Sequence, residues 1–274
     1  EMRESDWSSD VCSSDLMNYH DRTPITAINA FTPGQQIPAA LRPAMGGITQ
    51  IGNGSYQIQY FDNIKLLGGT VSTTFGPVSA YGELTYRDGA PVLVDAVVNP
   101  ATGATMATPT RANITQLNIG GFYNIGRTAI ADQVQLLAEM SAVNISGIKA
   151  RKAVGADAFP AAYGFTESDN PTFQTKNGLA ISGTLVLGYP GIFEGWDLNV
   201  PISYQQQLSG RTLVGGVGGE GDKRYSVGAT FTYKGNFSAG LSYNGYLGGA
   251  SLDPRTNRLL TDRDYLSLTL KYAF

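Results

Sequence analysis

The 274-residue chain has little of the chemistry that enzymes and metal sites need, because it contains one cysteine, Cys12, and one histidine, His20. A single thiol excludes a disulfide within the chain and a multi-thiolate metal site. His20 lacks a Gly-x-Ser-x-Gly partner motif, and the glycine pairs Gly215-Gly216 and Gly218-Gly219 lack the Lys-Ser/Thr of a phosphate loop. We therefore predict no catalytic residue, no metal site and no cofactor.

Charge and long apolar runs are also scarce. Charged residues make up 15% of the chain, against about 25% in typical soluble domains. The net charge of -3 provides no basic patch, so we expect no nucleic-acid partner. No segment approaches the roughly 18 consecutive apolar residues of a membrane helix. A membrane-spanning structure would therefore have to be built from strands.

What the chain has instead is alternation with period two, together with 34 glycines and 15 tyrosines. In the last segment, Asp264 to Phe274, every second residue from Leu266 is apolar and falls on one face of an extended strand. The same pattern predicts eight further strands: Asn63 to Phe75, Val78 to Arg87, Asn113 to Ile125, Asp132 to Ser146, Gly178 to Tyr189, Trp196 to Leu208, Arg224 to Lys234 and Asn236 to Leu247.

The connections between these strands alternate between short and long. The long ones are Asp88 to Ala112, Gly147 to Asn177, Ser209 to Lys223 and Gly248 to Arg263. Outer-membrane barrels have short periplasmic turns and longer outer loops. The alternative fold, a soluble sandwich, has no reason to alternate short and long connections in this way. The pattern predicts an all-β, antiparallel up-and-down transmembrane barrel in the bacterial outer membrane.

The first part of the chain is less regular. We predict a strand-like stub at Met17 to Arg22, and a long loop from Ile25 to Asn63 with a short helix around Pro38 to Met45 and a short strand at Tyr56 to Phe61. Glu1 to Leu16 (EMRESDWSSDVCSSDL) resembles translated sequencing-adapter sequence, the alternative being a native disordered tail. We predict that residues 1–16 are non-native and unpacked, and that residues 17–274 form the carboxy-terminal part of a barrel.

Four segments in combination resemble a known family: NYHDRTP (Asn18 to Pro24), YFDNIKLLGGTVSTTFGPVSAYGELTYRDGAP (Tyr60 to Pro91), GIFEGWDLNVPISY (Gly191 to Tyr204) and DRDYLSLTLKYAF (Asp262 to Phe274). Their order is similar to the carboxy-terminal portion of domain-of-unknown-function family 1302. The resemblance implies a proteobacterial outer-membrane protein about twice this length, associated with the handling of hydrophobic compounds. It also implies outer-membrane lipid and the barrel-assembly machinery as partners, and a periplasmic accessory protein as a further candidate.

Candidate site residues follow from the face opposite the apolar stripe, which carries Glu83, Arg87, Glu139, Asp197 and Lys271. Because a charge in hydrocarbon is costly, we predict that these side chains face the lumen, where they either line an aqueous route or pair with one another. Pro201 lies on the same face and predicts a β-bulge. Tyr272 and Phe274 resemble the terminal assembly signal of outer-membrane barrels.

Two functions remain open from the sequence: a channel or transporter for small, including hydrophobic, molecules, and a non-conducting barrel that binds a partner through its outer loops. The strand count of nine, or ten with the stub, predicts an incomplete barrel. We expect an open sheet with Asp264 to Phe274 at one edge.

Overall fold

The computed structural model describes residues 11–32, 38–44, 53–158, 161, 164–211, 218–253 and 256–273. Within these residues the chain forms strands and one short 3-10 helix, Ala156–Ala158. The strands are β1 (Val11–Tyr19), β2 (Ile25–Thr32), β3 (Asn53–Gln59), β4 (Ile64–Phe75), β5 (Val78–Asn99), β6 (Ala104–Gly126), β7 (Gln133–Ser146), β8 (Asn177–Phe193), β9 (Trp196–Ser209), β10 (Lys223–Tyr233), β11 (Phe237–Leu247) and β12 (Tyr265–Tyr272). No helix of the described residues is both long and apolar enough to cross a membrane.

Ten of these strands form one antiparallel sheet in the order β1-β4-β5-β6-β7-β8-β9-β10-β11-β12, and β2 pairs with β3 in a separate hairpin. The prediction of an all-β, antiparallel up-and-down sheet is confirmed, and all nine predicted strands are present as β4 to β12. In the described part of the chain, β1 and β12 each pair on one side only. Closure of the sheet into a barrel is therefore not detected within these residues, and β12 lies at one edge, as expected.

The register of the strands makes one face of the sheet continuously apolar and the other face mostly polar. Directly opposed residues of neighbouring strands point to the same face. One apolar row crosses β8 to β12 as Leu185, Ile202, Val227, Tyr243 and Leu266. The next positions along each strand belong to the opposite face and are mostly Ser, Thr, Asn, Gln or charged. We call these two surfaces the apolar face and the polar face.

The prediction that Asp88 to Ala112 form a connection is wrong. Strand β5 continues to Asn99, and β6 begins at Ala104, so the two strands project together beyond the rest of the sheet. A bulge between Arg87 and Ala90 shifts the register, and Gly89 has a φ of 77° there. The positive φ favours glycine at this position. In the sequence alone, glycine is a signal for a turn or loop, which is why the strand was predicted to end before Gly89.

The projecting hairpin is long because one of its faces is buried by another part of the chain. Val92, Val94 and Ala96 are each at most 1% exposed. The β7–β8 connection hydrogen-bonds to β6 through Lys149 N and Arg111 O, and then to β5 through Asp95 N and Asn170 O. Ala96 packs with Ala153 and Ala156 of that connection. The connection therefore crosses the face of the hairpin that continues the polar face of the sheet.

Three predictions for the first part of the chain need correction. Residues 11–16 belong to β1, which pairs with β4 from Val11 opposite Ser72 to Tyr19 opposite Ile64. The prediction that residues 1–16 stay unpacked is therefore wrong for 11–16, while residues 1–10 lie outside the described residues and the non-native origin of 1–16 stays a prediction. Part of the predicted loop is strand β2, whose apolar and polar residues alternate too briefly to stand out. Residues 39–44 form turns rather than a helix. The strand predicted at Tyr56 to Phe61 is present as β3.

The predicted bulge at Pro201 is also wrong. Pro201 lies opposite Val186 in an unshifted register with β8. On its other side, Ile202 opposite Val227 and Asn199 opposite Thr230 keep the same offset. Gly228 lies beside the proline ring, and an added Cβ there would be 3.5 Å from Pro201 Cγ, an ordinary contact. The missing N–H of Pro201 is thus accommodated without an extra residue.

Candidate functional site

The polar face carries the candidate site, and its centre is a hydrogen bond between strands that are not neighbours. Tyr81, Gly120 and Glu139 are directly opposed in one row across β5, β6 and β7. The Tyr81 hydroxyl donates to Glu139 Oε2 at 2.5 Å. The tyrosine ring reaches Glu139 because Gly120 has no side chain between them.

A second row beside this one is also joined by hydrogen bonds. Glu83, Asn118 and Ser141 are opposed across the same three strands. Ser141 Oγ donates to Asn118 Oδ1 at 2.8 Å, and Gln116 Nε2 donates to the same oxygen at 3.1 Å. The polar face is therefore an ordered hydrogen-bonding surface around the two carboxylates, Glu83 and Glu139.

A cavity of about 240 Å³ lies on the polar face farther along the sheet, over β9 to β11. Its polar wall contains Gln205, Arg224 and Tyr246, which share one row. Arg224 donates to the buried Asp222 carboxylate through Nε at 3.1 Å and Nη2 at 3.0 Å, and its guanidinium carbon lies 5.5 Å from the centre of the Tyr246 ring. These contacts fix the cation at the cavity wall, next to amide and hydroxyl groups.

All five predicted charged site residues lie on the polar face by strand alternation and register. Glu83 and Glu139 come together in adjacent rows, while Arg87 lies at the bulge of β5. Asp197 and Lys271 share a row with Thr232 and Ser238 between them. Three strand spacings separate the two, or about 14 Å, which is too far for an ion pair. That these side chains face a lumen stays a prediction.

The alternative of mutual pairing is not seen in the described residues, where none of the five charged side chains forms an ion pair with another. Asp197 instead accepts a 2.8 Å hydrogen bond from the Gly191 N–H at the β8–β9 turn. The charges of Glu83, Glu139 and Lys271 therefore remain available to solvent or to a solute.

The other residues singled out from the sequence lie away from this site. Tyr272 is on the apolar face, opposite Phe237, and is 65% exposed. Phe274 lies outside the described residues. His20 is exposed after β1 and lines a cavity with Met17, Tyr19 and Arg22. Within the described chain, no group of three or more His, Cys, Asp or Glu residues is arranged to hold a metal ion.

Sequence reasoning missed Gly120 and the pair of Asp222 and Arg224. The role of Gly120 depends on which residue lies opposite it, and that register cannot be read from one strand. Asp222 lies in a glycine-rich connection, where its Oδ2 also accepts the Gly218 N–H at 2.5 Å. An acidic residue two positions before an arginine at the start of a strand is the signal that could have been used.

Comparison with known proteins relates the chain to a family. No curated protein and no solved structure matches the chain. The model of the family described as "Protein of unknown function (DUF1302)" matches residues 14–274. This confirms the resemblance inferred from the sequence segments, and the chain belongs to that family.

Proposed function

We propose that this chain forms part of an outer-membrane β-barrel whose polar face lines a path for small molecules. The observation that carries the proposal is the separation of the two faces over ten strands, with aromatic rows at both ends of the apolar face. At the short-turn end, Trp196, Tyr233, Phe237 and Tyr272 form one row, and the Trp196 and Tyr233 ring centres are 5.0 Å apart. Membrane-interface belts of Trp and Tyr have this arrangement.

The second aromatic row lies toward the long connections. It contains Tyr204 opposite Tyr225. Tyr243 belongs to the next row toward the middle of the sheet, and its ring centre lies 6.0 Å from that of Tyr225. From Tyr225 to Tyr233 the strand advances about 27 Å. At a tilt of about 40°, this corresponds to about 21 Å across a membrane, close to the roughly 25 Å apolar band of outer-membrane barrels.

The residues between the two aromatic rows also favour lipid as the neighbour. Leu241 is 52% exposed and Leu268 is 70% exposed on the apolar face. A continuous exposed apolar surface of this extent marks a contact with another protein or with a membrane. The spacing of the aromatic rows favours the hydrocarbon layer of a membrane over a protein partner.

The polar face supports a path for water-soluble molecules over the hydrophobic compounds that the family resemblance implies. Rows such as Gln205, Arg224 and Tyr246 offer amide, guanidinium and hydroxyl groups. The cavity at this row, about 240 Å³, has the volume of a small solute. Groups of this kind can replace hydration water of a polar molecule during passage.

The alternative is a non-conducting barrel that binds a partner through its outer connections, and one observation favours it. The β7–β8 connection packs across the projecting hairpin on the side that continues the polar face, where Ala153 and Ala156 are at most 3% exposed. A connection held in this position narrows the opening at that end of the sheet. The two functions differ in whether solutes cross.

Conductance of the complete barrel in planar lipid bilayers distinguishes the two functions. We expect stepwise currents from the channel, and their absence from folded protein would favour the non-conducting barrel. In a Cys12→Ser background, Glu139→Cys should lose conductance after reaction with a bulky water-soluble methanethiosulfonate. Met140→Cys is the matched control, because the adjacent residue lies on the apolar face. Equal effects at both positions would contradict the assignment of the polar face to the path.

A further inference from the structure

A second cavity, of about 460 Å³, lies between the segment that follows β3, the outer part of β6 and the segment that follows β7. Its wall contains three cations, Arg111, Lys149 and Arg151, and one carboxylate, Asp62. It is separate from the polar-face cavity of Gln205 and Arg224. The charge of its wall is therefore positive, in a chain whose overall charge is -3.

Arg111 is held rigidly at this wall. Its Nη1 donates to the carbonyl oxygens of Asp62 at 2.7 Å and Gly89 at 3.1 Å, and its Nη2 donates to Asp62 Oδ1 at 2.7 Å. The guanidinium carbon lies 5.2 Å from the centre of the Phe61 ring. An added Cβ at Gly89 would lie 3.3 Å from Arg111 Nη1, so the glycine allows this close approach. Asp62 offsets the charge of Arg111, which leaves the charge of Lys149 and Arg151.

The backbone that carries Lys149 and Arg151 is also fixed. Lys149 N donates to Arg111 O at 2.9 Å, and Thr110 Oγ1 donates to Lys149 O at 2.8 Å. Arg151 N donates to Ser168 O at 3.0 Å, while its Nη1 donates to Pro109 O at 3.3 Å. Both side chains are exposed, and neither forms an ion pair within the described residues. They are two uncompensated cations on a fixed wall.

The position of Arg111 relates this cavity to the sheet. Residues of β6 alternate without a bulge from Arg111 to Leu117, so Arg111 projects on the apolar face, whereas Thr110 of the same cavity wall projects on the polar face. Thr115 lies opposite Tyr86, and Arg111 is about 13 Å farther along the strand. The cations thus lie beyond the apolar band, toward the long connections. In a membrane this is the level of phosphorylated lipid headgroups.

We propose that Arg111, Lys149 and Arg151 form a binding site for a phosphoryl anion. Guanidinium and ammonium groups donate charge-assisted hydrogen bonds to phosphate oxygens, and a preorganised wall loses little entropy on binding. The phosphoryl group can belong to a membrane lipid or to a free phosphate. The site does not depend on whether the polar face conducts.

The test uses the full-length chain in a neutral detergent, with two probes measured separately: inorganic phosphate by equilibrium dialysis, and phosphatidic acid in mixed micelles by calorimetry. Saturable binding of either probe is expected. Binding of phosphatidic acid without inorganic phosphate identifies a lipid headgroup, and binding of both identifies a site for the free anion as well. Absence of saturable binding of both probes overturns the proposal.

The variant Lys149→Gln/Arg151→Gln should weaken binding at least about tenfold, because each cation donates a charge-assisted hydrogen bond. Lys149→Gln alone replaces an exposed side chain and keeps the test valid if the double variant fails to fold. Arg127→Gln is the matched control, since it removes an exposed cation at the opposite, short-turn end of the sheet. An equal loss of affinity in Arg127→Gln would show attraction to overall charge and overturn the site.

Discussion

Tyr81 on β5 and Glu139 on β7 are joined by a 2.5 Å hydrogen bond across the intervening strand β6. Gly120 leaves space for this contact because it has no side chain. An added Cβ there would lie 2.6 Å from atoms of the Tyr81 ring. The same arrangement recurs on the apolar face, where an added Cβ at Gly245 would lie 2.5 Å from the Tyr225 ring. At both places, a glycine inside one strand leaves the space into which the tyrosine ring of a neighbouring strand packs.

The first prediction compares Gly120→Ala with Gly82→Ala. The methyl at residue 120 displaces the Tyr81 ring and breaks its bond to Glu139, which should lower the free energy of unfolding by about 1 kcal/mol. At Gly82 the nearest atom to an added Cβ is Val71 Cγ1 at 3.7 Å, an ordinary contact. Gly82→Ala should therefore be neutral or raise the free energy by up to about 1 kcal/mol. Urea unfolding from lipid vesicles measures both, and equal changes in the two variants would contradict the role of Gly120.

A second prediction tests which face contacts lipid. Leu241→Arg places a charge in the middle of the apolar face, between Ala229 and Leu268, and should lower the free energy of unfolding by about 2–4 kcal/mol. Ser242→Arg is the control on the same strand, because its side chain is on the polar face, and it should change the free energy by less than about 1 kcal/mol. Urea unfolding in vesicles gives both values. A larger cost for Ser242→Arg would reverse the assignment of the faces.

The strands from β4 to β12 could be predicted from sequence because each has one apolar stripe. Period-two alternation can be recognised within a single strand, without knowing which strands pair with it. The outer half of the β5–β6 hairpin also alternates, with Ala90, Val92, Val94 and Ala96 on one side. This segment was wrongly predicted to be a loop because Gly89 and Pro91, taken from the sequence alone, are residues typical of turns. Gly89 lies in a bulge and Pro91 pairs with Arg111 in the regular register beyond it, and sequence alone does not reveal this pairing of β5 with β6.

The candidate site was predictable only in part, for a similar reason. Alternation assigned Glu83 and Glu139 to one face, but their spatial relation depends on the register of three strands. The cations of the phosphoryl site come from separate segments, β6 and the connection after β7, and their convergence requires the fold of that connection over the hairpin. Tertiary contacts of this kind leave no local signal.

The third prediction tests the pairing of β1, whose residues 11–16 sequence reasoning excluded. Cys12 lies opposite Val71, and directly opposed residues of an antiparallel pair have Cα atoms about 4.5–5.5 Å apart, within reach of a disulfide. Val71→Cys should therefore form a disulfide with Cys12 on mild oxidation. Peptide mass analysis before and after reduction detects it. Ser72→Cys is the control, because Ser72 lies opposite Val11 on the other face, and its disulfide yield should be low. Equal yields would indicate that β1 is not held in this register.

The last prediction concerns Asp264, which lies just before β12 and fastens it to the end of β11. Its Oδ2 accepts a 2.5 Å hydrogen bond from the Tyr243 hydroxyl, and its Oδ1 accepts one from Tyr246 N–H at 3.0 Å. These bonds, the Tyr243 bond first, hold the pKa of Asp264 below its ordinary value of 3.8. A carboxylate with a lowered folded-state pKa stabilises the fold above its unfolded pKa, and this contribution is lost as the pH falls through the folded value.

Asp264→Asn should therefore unfold at lower urea concentration than the unaltered chain, by a constant difference above pH about 4 that narrows as the pH falls below it. Urea midpoints measured across this range give the result. Asp262→Asn is the matched control, since it removes an exposed carboxylate of the same connection that accepts no hydrogen bond within the described residues, and it should show no comparable narrowing. A difference for Asp264→Asn that widens toward low pH would contradict the assignment, because the ionised carboxylate would then not be the group that holds β12 to β11.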